Sequence, residues 1–71
     1  MKGGVVAPIA GKVFKLVAKA GDVVKAGDVL LVLEAMKMEN VIKAPGDAVV
    51  KAVAAEKGKA VEKGQLLISF Q

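Results

Sequence analysis

The chain contains no Cys, His, Thr, Arg, Tyr or Trp, and its one hydroxyl belongs to Ser69. Each absence removes a class of function. Without Cys or His there are no disulfides and no Cys/His zinc site. No imidazole or thiol is present to act as general base or nucleophile, and Ser69 lies in the apolar run Leu66-Leu67-Ile68-Ser69-Phe70 with no His to activate it. These gaps argue against an autonomous enzyme. All eleven basic residues are Lys, so bidentate Arg contacts to phosphates or bases are missing, and two Phe make no stacking platform. Nucleic-acid binding would rest on the net charge of +4 alone, and that charge is mixed along the chain. No apolar stretch approaches the roughly 20 residues that span a bilayer, which argues against membrane insertion. Pro8 and Lys12 cut the apolar start too short for a signal peptide. The expected setting is soluble and intracellular: cytoplasmic, or the mitochondrial matrix if the domain belongs to a larger eukaryotic enzyme.

What remains is aliphatic. Seventy-one residues allow a single domain, and a chain this small buries only about 60% of its unfolded surface. With 55% hydrophobic and 3% aromatic residues, its core must be built from Val, Leu, Ile and Ala.

The chain also repeats itself. Ala44-Pro45 stands 37 positions after Ala7-Pro8, and the same offset superposes Val13 on Val50, Ala18 on Ala55, Gly21 on Gly58, Val24 on Val61, Gly27 on Gly64 and Leu30 on Leu67. The pairs Val5/Ile42, Leu16/Val53, Val29/Leu66 and Leu31/Ile68 add apolar matches. Turn chemistry and core pattern are thus duplicated together. The halves run from about 5 to 34 and from 42 to 71 within one domain, 1–71, and residues 1–4 read as a linker. Runs at Val13–Lys19, Val23-Val24 and Val29–Met36, separated by Gly21-Asp22 and Gly27-Asp28, read as strands. Val49–Val53, Val61 and Leu66–Phe70 are their counterparts. Ala52–Lys57 has helical propensity, but its repeat mate is rich in strand formers, so we read it as strand. The unbroken apolar run Val29–Leu33 indicates a strand buried on both faces. The fold class is therefore all-β, a small sandwich or flattened barrel of two similar halves.

Between the halves lies Glu34-Ala35-Met36-Lys37-Met38-Glu39-Asn40. If Val29–Ala35 and Met38–Lys43 are consecutive strands, Met36-Lys37 forms a hairpin with no residues to spare. Such turns need positive φ and favour Asn-Gly or Gly, yet this one offers Met and Lys. Every other turn obeys the glycine rule. A local rule broken once tends to mark function. The tip would project Lys37 into solvent, a geometry suited to modification. A catalytic amine must instead lose its proton through burial or a neighbouring cation, whereas Lys37 has Glu34 and Glu39 beside it. Met36 and Met38 add polarizable apolar surface that several proteins could grip in turn.

These residues resemble the biotinyl domain, the biotin carboxyl carrier module of biotin-dependent carboxylases and decarboxylases. Glu34-Ala35-Met36-Lys37-Met38-Glu39 is similar to that family's Ala-Met-Lys-Met attachment motif, and the Ala-Pro, Gly-Asp and Val/Leu pattern on either side fits as well. The resemblance implies a barrel-sandwich of two four-stranded antiparallel sheets with a quasi-twofold axis, without the thumb insertion that some carriers bear. Lys37 would carry covalent biotin, installed by a biotin protein ligase. Ala35, Met36 and Met38 would complete the attachment motif, and Glu34 and Glu39 would support ligase recognition. The domain would catalyse nothing itself. It would shuttle a carboxyl group from a biotin carboxylase to a carboxyltransferase, or serve a decarboxylase. Gly46-Asp47-Ala48 and Gly58-Lys59 depart from the family's usual turns. The alternative is a lipoyl domain carrying lipoate on Lys37 in a 2-oxoacid dehydrogenase complex, although methionines on both sides of the lysine favour biotin.

Overall fold

The computed structural model describes residues 3–71. Eight strands account for the regular structure among them: β1 (Gly3–Val6), β2 (Gly11–Leu16), β3 (Val23–Val24), β4 (Val29–Ala35), β5 (Met38–Lys43), β6 (Ala48–Val53), β7 (Ala60–Val61) and β8 (Leu66–Phe70). They form two four-stranded sheets, ordered β1-β8-β6-β3 and β5-β4-β2-β7, with every pairing antiparallel.

The repeat explains this topology. Moving 37 positions along the chain carries β1, β2, β3 and β4 onto β5, β6, β7 and β8, and so carries one sheet onto the other. Each sheet takes two strands from each half, so neither half can complete a sheet alone. Loop hydrogen bonds obey the same operation. Gly27 donates its N–H to the Ala44 carbonyl at 2.9 Å, and Gly64 donates to that of Ala7 at 2.8 Å. Gly21 donates to the Val50 carbonyl, and Gly58 to that of Val13, both at 2.8 Å. These bonds stitch the turns of one half to the backbone of the other. As the sequence pattern required, Gly21, Gly27, Gly58 and Gly64 all have positive φ.

Side chains supply the remaining turn bonds where their chemistry permits. The Asp22 and Asp28 carboxylates accept the backbone N–H groups of Lys19 and Lys25, each at 2.9 Å. Gln65, the repeat mate of Asp28, accepts from Glu62 at 3.0 Å, whereas Lys59 stands where Asp22 does and has no acceptor to offer. Asp47, in the irregular turn after Pro45, accepts the Ala26 N–H at 3.0 Å and so ties the two halves together.

The core is one aliphatic cluster. Leu30, Leu31, Leu33, Leu67, Ile68 and Val50 are fully buried, with Val13, Val24, Val61, Phe70 and small alanines around them. No buried side-chain polar atom among the described residues lacks a partner. A register shift between Val29 and Leu31 breaks the alternation of β4, so the consecutive residues Leu30 and Leu31 both turn inward. Val32 is buried outside the central cluster, flanked in the ladder by Lys15 and Val41. This accounts for the unbroken apolar run.

Three sequence-based boundaries need correction. Residues 1–4 read as linker, but Gly3 and Gly4 form the start of β1, paired with Phe70 and Ser69; residues 1 and 2 lie outside the described residues. A Cβ on Gly4 would lie 2.4 Å from the Ile68 carbonyl oxygen, so a glycine stands there because the neighbouring backbone is so near. β2 stops at Leu16 rather than Lys19, since the Val17 and Ala18 N–H groups both turn to the Leu30 carbonyl. Likewise β6 stops at Val53: Ala54 and Ala55 donate to the Leu67 carbonyl, and the expected strand over 52–57 gives way to a turn closed by Lys59 N–H on the Glu56 carbonyl. Only residues 17–22 join β2 to β3, with no inserted thumb.

Candidate functional site

The hairpin joining β4 to β5 is as tight as the sequence required. Ala35 pairs directly with Met38, leaving Met36 and Lys37 as the entire loop. Their φ angles are 52° and 62°, and they are the only non-glycine residues with positive φ among the described residues. Positive φ at both central positions is the signature of a type I′ hairpin turn. Left-handed backbone costs an L-residue with a Cβ about 1 kcal/mol or more. The chain accepts that cost twice at one turn. Replacing Met36-Lys37 by Asn-Gly is therefore expected to raise the stability by about 1–2 kcal/mol, read as a higher urea midpoint at unchanged slope.

The turn displays its side chains fully. Lys37 is exposed, Met36 is 84% exposed and Met38 68%. The methionines therefore fill no core gap and stand on either side of the lysine as free apolar surface. Ala35 differs. It is buried and anchors the hairpin to the body of the domain.

Beneath the turn, ladder register sets a charged row. Glu34 and Glu39 are directly opposite in the pair next to Ala35 and Met38, and Lys12 of β2 faces Glu34 from the other side. All three are exposed. Like charges opposite each other in a sheet are mildly destabilising, and Lys12 places one positive charge in the same row. The two carboxylates thus flank the base of the hairpin, as their spacing around Lys37 implied.

Sequence reasoning missed two residues here, Lys12 and the supporting role of Gly11. A Cβ on Gly11 would lie 2.6 Å from the Glu34 carbonyl oxygen and 3.2 Å from Ala35 Cβ, so only glycine lets β2 pass this close beneath the hairpin. The signal was present in the repeat, where Gly11 corresponds to Ala48. Gly11→Ala is expected to cost about 1–3 kcal/mol, measured by chemical denaturation, with backbone amide shifts moving at Glu34 and Ala35.

The repeat also locates this hairpin within the fold. Leu33 pairs with Asn40, and their mates Phe70 and Gly3 pair at the chain ends. The hairpin therefore stands, in one half of the molecule, where the Gly3–Phe70 end of the β1–β8 ladder stands in the other. An exposed primary amine on so tight a tip can be acylated and can then carry its acyl group outward.

Known proteins share this sequence pattern and this fold. Residues 3–70 match the family model described as "Biotin-requiring enzyme". The chain is 46% identical over 70 residues to the mitochondrial methylcrotonoyl-CoA carboxylase subunit alpha of Rattus norvegicus, covering 99% of this chain and 10% of that protein. To the biotin carboxyl carrier protein of acetyl-CoA carboxylase from Solanum lycopersicum it is 42% identical over 69 residues, 97% of this chain and 99% of the other. Among solved structures, a single-chain, multi-domain long-chain acyl-CoA carboxylase superposes with a TM-score of 0.93 at 36% identity, over 99% of this chain and 7% of that one. The chain thus spans about a tenth of the carboxylase subunits it matches and nearly all of the small tomato carrier. With this fold and this hairpin, the chain belongs to the family of biotin-requiring enzymes, as a biotinyl domain.

Proposed function

We propose that this chain is a carboxyl carrier, with Lys37 holding biotin in amide linkage. The observation that carries this reading is the exposed Lys37 held on a two-residue, positive-φ turn without glycine. When bound, biotin supplies a ureido nitrogen that takes up and gives up a carboxyl group. Everything else is the work of the protein. The tight two-residue turn holds the amine clear of the domain for a biotin protein ligase. Met36 and Met38 give that ligase, and later a biotin carboxylase and a carboxyltransferase, an apolar contact on each side of the lysine. Ala35 and Gly11 fix the base, and Glu34 and Glu39 present carboxylates beneath it. The chain lowers no barrier itself, and residues 1–71 act as one domain. Covalent tethering keeps the arm concentrated near either enzyme, so docking can be weak and release fast. No helix among the described residues is long and apolar enough to cross a membrane, and the expected setting is the cytoplasm or the mitochondrial matrix.

The carrier role is tested after loading. Supplied with a biotin carboxylase, ATP and labelled bicarbonate, the biotinylated chain is expected to become labelled and the unloaded chain to stay unlabelled. A loaded chain that takes no label from an active carboxylase would contradict the reading.

A further inference from the structure

We propose that Met36 and Met38 form an oxidation site at which hydroperoxides switch off loading of the carrier; the proposal rests on the carrier reading above. The chain has three methionines, of which Met1 lies outside the described residues. The other two are separated by Lys37 alone, and neither belongs to the core cluster. Met36 is the most exposed of the large hydrophobic residues and Met38 is close behind Val23. Susceptibility of a thioether follows its access to oxidant, so these sulfurs are open to attack while the core is closed.

The step is simple to balance. A sulfur lone pair attacks the terminal peroxide oxygen, the O–O bond breaks, an S–O bond forms, and the proton on that oxygen passes to the departing oxygen, which leaves as an alcohol, or as water when the oxidant is hydrogen peroxide. Sulfur loses two electrons and the peroxide gains them. The product is methionine sulfoxide, polar where the thioether was apolar.

Position gives this change its consequence. Both sulfurs flank the amine that a ligase must reach, so an enzyme closing over Lys37 meets both side chains. A sulfoxide oxygen taken from water into an apolar contact without a donor is penalised. The fold feels nothing comparable, because neither methionine belongs to the central core cluster and the turn is held by the backbone pairing of Ala35 with Met38. Oxidation here changes recognition while leaving stability alone, which separates a switch from oxidative damage. Sulfoxide reductases would restore the thioethers.

The test uses the whole chain. It is treated with hydrogen peroxide, mapped by peptide mass for one added oxygen at each of Met36 and Met38, and assayed for its rate of biotinylation by a biotin protein ligase and for its thermal midpoint. The expected result is a loading rate lower by about tenfold or more at an unchanged midpoint, regained after methionine sulfoxide reductase treatment. A Met36→Leu/Met38→Leu variant, whatever its own rate, should show no dependence on peroxide. Normal loading of the doubly oxidised chain would overturn the inference, as would methionines that resist peroxide able to oxidise free methionine. An untreated chain that accepts no biotin would instead overturn the carrier reading.

Discussion

Lys37→Arg should abolish biotinylation while leaving the fold intact. Acylation needs a nitrogen lone pair, and a guanidinium gives up its proton about a hundred- to a thousandfold less readily than a lysine ammonium. The substitution keeps the positive charge and an unbranched stem able to adopt the same left-handed backbone. Since Lys37 is exposed and outside the core, stability should stay within about 0.5 kcal/mol of the parent. Incubation with ligase, ATP and biotin, followed by avidin capture, should recover the parent chain and none of the variant. Ten other lysines remain in Lys37→Arg. Their failure to substitute would show that the turn, and not a free amine as such, is what is modified. Avidin capture of the variant at the parental level would refute the assignment.

Leu30→Ala and Leu67→Ala should each unfold much of the margin that keeps this domain together, and by similar amounts. The two leucines are repeat mates on β4 and β8, and both are 0% exposed. Truncating a buried leucine costs about 2–5 kcal/mol, from lost transfer free energy and the cavity left behind. A chain of this length has only about 4–11 kcal/mol in total. Either variant should therefore melt roughly 10 °C or more below the parent, with the two agreeing within about 1 kcal/mol in urea. Val23→Ala is the control. Val23 is 77% exposed on β3 and should move stability by less than about 0.5 kcal/mol. A large difference between the two leucines would show that the halves share a pattern without sharing their packing.

Much of this was legible before any coordinates, and the reason differs from residue to residue. The glycines at 21, 27, 58 and 64 declared the repeat because turn chemistry is local, and local rules can be read from neighbours in sequence. The strain at Met36-Lys37 could be read for the same reason: the spacing of β4 and β5 left two residues for a reversal that requires positive φ. Features set by distant pairing were not legible. Gly3 and Gly4 look like linker because glycine is a poor strand former, and only the nearness of Ile68 explains why a glycine pairs at position 4. The exchange of strands between sheets, the Lys12–Glu34–Glu39 row and the Asp47 bond to Ala26 all depend on which strand lies beside which. The runs at Lys19 and at 54–57 ended early because their backbone N–H groups turn to the carbonyls of Leu30 and Leu67, which no propensity encodes.

The central claim concerns one bond on one side chain. The full chain would be incubated with a biotin protein ligase, biotin and ATP, and in parallel with a lipoate ligase and lipoate, then weighed intact and fragmented to place any adduct. The account predicts a single biotin adduct, located on Lys37, and none from the lipoate reaction. Lipoate alone on Lys37, biotin on another lysine, or no adduct from an active biotin ligase would contradict it.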